Sequence, residues 1–249
     1  MTVIDAHVHI GRNQNTKYYT LTELRRDQAE AGVEGAFVFA FPEDMYRTID
    51  TRESRIDANE YVLNVARSTT RVYPFYFVWN DYIMPDNLDQ YAGIKWHRHS
   101  DEPRYDYDDP RCERILKEIR KLNLPVTLEE EYDNTVRFVE MNPTLTVIIP
   151  HIGRANGGYE KMEAFYPNRR VYFDTSVADA KAIRTAIEKA GAERVLFGTD
   201  VSGTKMPFFN FPKVELAKLR SLNLDDGVMK LILGGNAERL MERWRRRVG

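Results

Sequence analysis

The chain has 249 residues, 43% apolar and 12% aromatic, enough to fill a substantial core in one large α/β domain spanning 1–249. Its 36 lysines and arginines stand against 38 acidic residues, a formal charge of −2, so no global basic field recruits nucleic acid or an anionic membrane and a small molecule is the expected partner. No basic-then-apolar leader opens the sequence, no eighteen apolar residues run together and the one cysteine, Cys112, allows no internal disulfide; a cytoplasmic protein with an ordinary free thiol is expected.

In chain order, Val3-Ile4 reads as a short first strand, followed by a polar loop from Gly11 to Tyr19 and a helix from Thr22 to Ala31 that stops at Gly32. Ala36 to Phe39 is the second strand. Ile56, Tyr61, Val62, Val65 and Ala66 fall at helical spacing and predict a helix over 56–68. Strands three and four follow at Val72 to Val78 and Gly93 to Trp96. Pro110 suits the first turn of a helix running to Leu122. Pro125 to Leu128 is strand five, Asp133 to Met141 a helix, Val147 to Ile149 strand six, Val171 to Phe173 strand seven, Ala178 to Ala190 a helix and Val195 to Phe197 strand eight. The basic run Arg243-Trp244-Arg245-Arg246-Arg247 ends a last helix and reads as a solvated terminus. Strands that are continuously apolar are buried on both faces, as in parallel sheets covered by helices. Eight such β/α units predict a closed (β/α)8 TIM barrel; an open doubly wound sheet is the weaker alternative, because no glycine-rich G-x-G-x-x-G turn follows the first strand.

All five histidines lie at or just beyond the C-terminal end of a strand-like run, where a barrel carries its active site. In Asp5-Ala6-His7-Val8-His9, residues two apart share a strand face, so both imidazoles can aim at one point. Lys95 and His97 end strand four, Glu129 strand five, His151 strand six, Asp174 strand seven and Asp200 strand eight. Two imidazoles with carboxylates suit zinc or a similar divalent ion, and an open coordination position would make the site catalytic. The plain alternative is a set of packed or surface histidines, and the gathering of six strand ends on one rim argues against it. Asp174 reads as a cap or a structural acceptor, outside the metal set.

Taken together, Asp5-Ala6-His7-Val8-His9, Gly93-Ile94-Lys95-Trp96-His97, Pro150-His151-Ile152-Gly153, Leu196-Phe197-Gly198-Thr199-Asp200 and Gly234-Gly235-Asn236-Ala237-Glu238-Arg239-Leu240 resemble the amidohydrolase superfamily, in the branch that holds aminocarboxymuconate semialdehyde decarboxylase and its relatives. The resemblance runs from the first strand to the last helix. It implies a metal-dependent TIM barrel in which His7, His9 and Asp200 bind the metal and His151 sits at the reaction centre, close enough to join the ligands. The chain departs from the pattern at strand five, where the family places a histidine and this sequence has Glu129-Glu130-Glu131. With Glu129 in that place, two carboxylates offset the ion's charge; zinc remains the first expectation, with manganese or iron beside it. Glu131 reads as a solvated helix start and Glu130 is left open.

Two roles stand for Lys95: the carboxylated bridge that the superfamily's two-metal members use, or a cation that holds a substrate carboxylate. One ion is placed ahead of two. His97 is a ligand, a substrate contact or a donor behind the ligands; Trp96 and Arg154 are expected to touch substrate, and His99 to lie at the pocket edge. Tyr18, Phe41 and Trp79 with Lys205 hint at an aromatic or carboxylated ligand, and the apolar run Met206 to Pro212 reads as a loop that serves as a lid or an oligomer contact.

The chemistry expected is hydrolysis of an amide, ester or lactone, with Asp200 moving the proton of a metal-activated water and His151 stabilising the oxyanion. The alternative is non-oxidative decarboxylation of a small, aromatic-type carboxylic acid. A barrel kept only for binding is a third reading, favoured by the missing strand-five histidine and opposed by His7, His9 and Asp200.

Overall fold

The computed structural model describes residues 2–11, 19–41, 52–98, 104–201 and 210–248. Eight parallel strands pair in sequence order: β1 (Ile4–His9), β2 (Gly35–Phe39), β3 (Val72–Val78), β4 (Gly93–His97), β5 (Val126–Glu129), β6 (Val147–Ile149), β7 (Val171–Asp174) and β8 (Val195–Leu196). The ring closes where β8 and the residues after it meet β1: Ala6 N–H donates to the Phe197 carbonyl at 2.8 Å, Asp200 N–H to that of His7 at 2.9 Å and His9 N–H to that of Val201 at 2.9 Å. The TIM barrel expected from the alternating pattern is the fold observed.

Around it lie α1 (Leu21–Ala31), α2 (Arg52–Arg67), α3 (Pro110–Leu122), α4 (Tyr132–Met141), α5 (Ala180–Ala190), α6 (Phe211–Arg220), α7 (Asp226–Lys230) and α8 (Asn236–Val248). Their ends follow local chemistry. Thr20 and Glu23 form a reciprocal capping box at α1, Asp109 caps α3 ahead of Pro110, and Gly32 and Asn123 take left-handed backbone at the C-termini of α1 and α3. Short 3-10 turns over Pro150–Gly153 and Tyr159–Ala164 replace a helix after β6. No described helix is long and apolar enough to cross a membrane.

Strand parity sorts the side chains into layers. On β4, Ile94 and Trp96 point outward to the helices while Lys95 and His97 point into the barrel; on β5, Val126 and Leu128 face out, Thr127 and Glu129 in. The lower interior is apolar, built from Ile4, Phe37, Phe39, Phe75, Ile148 and Leu196 and plugged from below by Ala237 and Met241 of α8. His7, His9, Lys95, His97 and Glu129 lie above it, toward the C-terminal ends of the strands.

Several expectations change. β1 continues through His9 rather than ending at Ile4, because it pairs with β2 on one side and with the residues after β8 on the other. Its register slips between Asp5 and Val8, a local irregularity of the kind that re-aims side chains at a barrel rim. Phe211 and Pro212 are not loop residues: Asn210 caps α6, which they begin. Met206 to Phe209, Tyr18, His99 and Lys205 lie outside the described residues. Trp96 is fully buried against Tyr105, Tyr107 and Phe138 in the helical layer, so it is core and not a substrate contact. Cys112 is buried in the same layer, and burial pushes its thiol up to about 12.

Candidate metal centre at the barrel mouth

β1 delivers His7 and His9 to the inner face, and a partner outside the centre orients each ring. Nδ1 of His7 lies 2.8 Å from Asp174 Oδ2 at the end of β7, and Nδ1 of His9 lies 2.8 Å from the Ala40 carbonyl just beyond β2. A carbonyl oxygen only accepts, so His9 carries its proton on Nδ1 and leaves the Nε2 lone pair facing inward; the carboxylate imposes the same tautomer on His7. Burial, then the Lys95 ammonium, keeps both imidazoles below their usual range, the neutral form that a metal ligand needs.

Asp200 completes the group. Its Oδ1 is 3.5 Å from His7 Nε2 and 3.6 Å from His9 Nε2, and its side chain keeps 33% of its exposure, open to the mouth. The backbone holds it there at φ 59°, and its N–H donates to the His7 carbonyl. Three donor atoms from His7, His9 and Asp200 lie within 4.8 Å of one another. A tetrahedral ion with bonds of ~2.1 Å separates neighbouring ligand atoms by ~3.4 Å, so the set fits a small divalent cation. A second cluster, His7, His151 and Asp174, is equally compact, but there Asp174 is already bonded to the His7 ring. That cluster is a hydrogen-bond network behind the His7, His9 and Asp200 group.

Asp174 is the hub of that network. Oδ2 holds His7, while Oδ1 accepts the backbone N–H of His151 at 3.1 Å, that of Ser176 at 3.0 Å and the Ser176 hydroxyl. Burial works against its charge, but His7, His151 and the Ser176 hydroxyl outweigh it and hold the carboxyl down to about 2. With His7 neutral, the contact is a hydrogen bond from imidazole to carboxylate. Such partners fix a ligand's tautomer and raise its basicity. Asp5 plays a structural part from the other side of β1: Oδ1 accepts from His7 N and Thr199 N at 3.0 Å each, tying β1 to the segment after β8.

His151 follows β6 in a turn where it and Ile152 both adopt left-handed backbone, φ 55° and 50°, held by the Asp174 bond to its N–H. Its Nδ1 lies 2.8 Å from Ser176 Oγ, its ring stacks on that of His7 and its Nε2 is 3.7 Å from Glu129 Oε2. Burial alone would lower its pKa; Glu129 first, then Asp200 and Asp174, raise it to about 9, so an imidazolium faces the centre at neutral pH.

Glu129, expected as a ligand, falls in neither donor group. Its Oε2 lies 3.0 Å from Lys95 Nζ, 3.5 Å from His97 Nε2 and 3.7 Å from His151 Nε2, and these cations and imidazoles overcome burial to hold it well below the carboxylate range. Its neighbours point elsewhere: Glu130 is buried and accepts from Tyr107 and Asn134, while half-exposed Glu131 pairs with Arg98 at 3.0 Å, at the start of α4. Arg154 is exposed on the rim, its guanidinium 3.5 Å from the Val177 carbonyl. Phe41 stacks on the His9 ring, whereas Trp79 stacks on Phe77. Asp174, read from the sequence as a cap or structural acceptor outside the metal set, is such an acceptor here, while Ser176 had no part in the sequence reading. The position of Asp174 at a strand end was a usable signal; nothing local marked Ser176.

The family profile described as amidohydrolase matches residues 4–243. No curated protein matches the sequence. Among solved structures, a protein provisionally assigned as 2-pyrone-4,6-dicarboxylic acid hydrolase from Pseudomonas putida aligns with TM-score 0.76 at 15% identity, over 97% of this chain and 98% of that one. The 5-carboxyvanillate decarboxylase of Sphingomonas paucimobilis aligns with TM-score 0.73 at 14% identity, over 97% and 99%. A dihydroxybenzoic acid decarboxylase from Polaromonas sp. JS666, with bound manganese and the inhibitor 2-nitroresorcinol, aligns with TM-score 0.71 at 15% identity, over 97% of each chain. At such identities the likeness establishes the fold, and the same fold carries hydrolases and decarboxylases.

Proposed function

Because the chain belongs to the amidohydrolase family, we propose that it is a metal-dependent hydrolase that cleaves an amide, ester or lactone bond of a small molecule. The observation that carries this reading is the convergence of His7 Nε2, His9 Nε2 and Asp200 Oδ1 on one point, with both Nδ1 atoms committed to outside partners. His7, His9 and Asp200 would hold one divalent ion, zinc first and manganese or iron beside it. Such an ion, when bound, supplies Lewis acidity that polarises a substrate oxygen and lowers the pKa of water.

The protein's own groups divide the remaining work. Asp200, partly open to the mouth, accepts a proton from the attacking water and returns it to the leaving group. The His151 imidazolium stabilises an oxyanion developing beside it, and Ser176 and Asp174 fix its ring and backbone. The neutral His7 and His9 contribute no charge of their own, so Asp200 supplies the anion of the donor set.

Decarboxylation stands as the second reading, favoured by one feature: His151 is held protonated within reach of the same centre, the arrangement needed to protonate carbon as carbon dioxide leaves. The test is a panel of lactones, esters, amides and hydroxylated benzoates assayed with added zinc or manganese and again after chelation. The expected result is turnover that chelation abolishes and that Asp200→Asn lowers by roughly 10²–10⁴-fold. Release of carbon dioxide instead of a hydrolysis product selects the second reading. Turnover indifferent to both chelation and Asp200→Asn would sink both.

A further inference from the structure

Lys95 is fully buried inside the barrel, its Nζ 3.0 Å from Glu129 Oε2, 3.3 Å from His7 Nε2 and 4.8 Å above the Phe39 ring. An ammonium only donates, so its contact with the neutral His7 ring is donation to the Nε2 lone pair. That lone pair is the one ligand atom His7 can offer, because Nδ1 is bonded to Asp174. The ammonium and a divalent ion would therefore want the same atom, and they repel each other in a poorly screened interior. Glu129 supplies the opposite charge. It is 3% exposed, its Oε2 lies 3.0 Å from Lys95 Nζ, and it stands outside the His7, His9 and Asp200 group.

We propose that Lys95 is a resident competitor of the metal ion, occupying the His7 lone pair that the ion must take, and that Glu129 acts as the counter-ion that draws the ammonium away rather than as a ligand. The proposal rests on the ion-binding reading above. It accounts for two features together: a lysine aimed at a ligand atom, and a carboxylate in the position of a ligand but turned to the lysine. It also gives the ion-free centre a way to satisfy a buried lone pair, so the donor set keeps its geometry before an ion arrives. On this view a rise in ion affinity follows from deleting the cation, and a fall from deleting its counter-ion. A lysine that served as a bridge between ions would give the opposite sign.

The experiment is calorimetric titration of chelator-stripped full-length protein with Mn2+ and with Zn2+, for the wild type, Lys95→Met, Glu129→Gln and the double variant, with circular dichroism confirming that each folds. Lys95→Met is expected to bind at least about tenfold tighter than wild type, and Glu129→Gln at least about tenfold weaker. In the Lys95→Met background, Glu129→Gln should change affinity by less than about threefold, since the carboxylate then has no competitor to restrain. If Lys95→Met alone does not fold, the double variant, which removes both charges, carries the test by binding at least about tenfold tighter than Glu129→Gln. Weaker binding by Lys95→Met overturns the proposal, as does an equal loss from Glu129→Gln in both backgrounds, the signature of a direct ligand. Absence of ion binding in every form overturns the ion-binding reading itself and the proposal with it.

Discussion

At the scale of single residues, one carboxylate ties three parts of the candidate centre together. Asp174 orients the His7 ring, anchors the left-handed turn at His151 and receives the Ser176 hydroxyl that in turn contacts the His151 ring. Its carboxyl is depressed to about 2 in the fold, so its stabilisation is complete above the unfolded value of about 3.9 and is lost as pH falls toward about 2. Asp174→Asn in ion-free protein should cost roughly 2 kcal/mol at pH 7 by urea denaturation, and the gap from wild type should shrink as pH falls from about 4 to about 2. A gap that does not vary with pH would assign the loss to packing. That His7 and His9 present their rings to one point was readable from residue type and spacing, since side chains two apart on a strand share a face. The surroundings of Glu129 were not: side-chain type offered a ligand, and only the structure shows Lys95 of the adjacent strand β4 against its Oε2.

At the scale of elements, the strands and helices were readable because the barrel imposes the same demand eight times. A strand buried on both faces must be apolar, and the helix that covers it must carry an apolar stripe. Boundaries at α3 and β3 match the expected limits because Pro110 and the long Val72–Val78 run are strong local signals. The start of α6 was missed. Phe211 and Pro212 read as an apolar loop, yet Pro212 sits in the first turn and the Asn210 side chain accepts the Lys213 N–H at 2.9 Å. α5 shows the same device, with Asp179 accepting the Ala182 N–H at 2.7 Å. Asp179→Ala is expected to lower stability by about 1 kcal/mol in a denaturant melt while leaving ion affinity unchanged, because the cap acts on α5 alone. Trp96 carries the parity lesson. It lies between Lys95 and His97 in sequence, and for that reason it faces the opposite layer.

At the scale of the whole molecule, the barrel works because its last turn fits against its first strand. Gly234 lies in a π-helical turn over Leu231–Gly235 between α7 and α8, and a Cβ there would strike the Thr2 carbonyl oxygen. Gly198, between β8 and Asp200, leaves room for Asp174 and for the Cβ of His7. Gly234→Ala should therefore destabilise the fold by roughly 1–3 kcal/mol, seen as a lowered thermal midpoint, because backbone rather than a flexible side chain would have to move. An unchanged midpoint would show that the closure tolerates a methyl group. The sequence by itself determined the architecture, the family and the approximate place of the centre, since apolar periodicity and strand-end motifs are local properties that a closed parallel barrel turns into one rim. Only the tertiary structure decided which groups each rim residue meets. Whether a carboxylate binds an ion, a histidine or a lysine depends on which side chain from a neighbouring strand reaches it first, and that is set by stagger, parity and closure of the ring. The pairing of Lys95 with His7, 88 positions apart, is such a decision, as is that of His7 with Asp174, 167 apart.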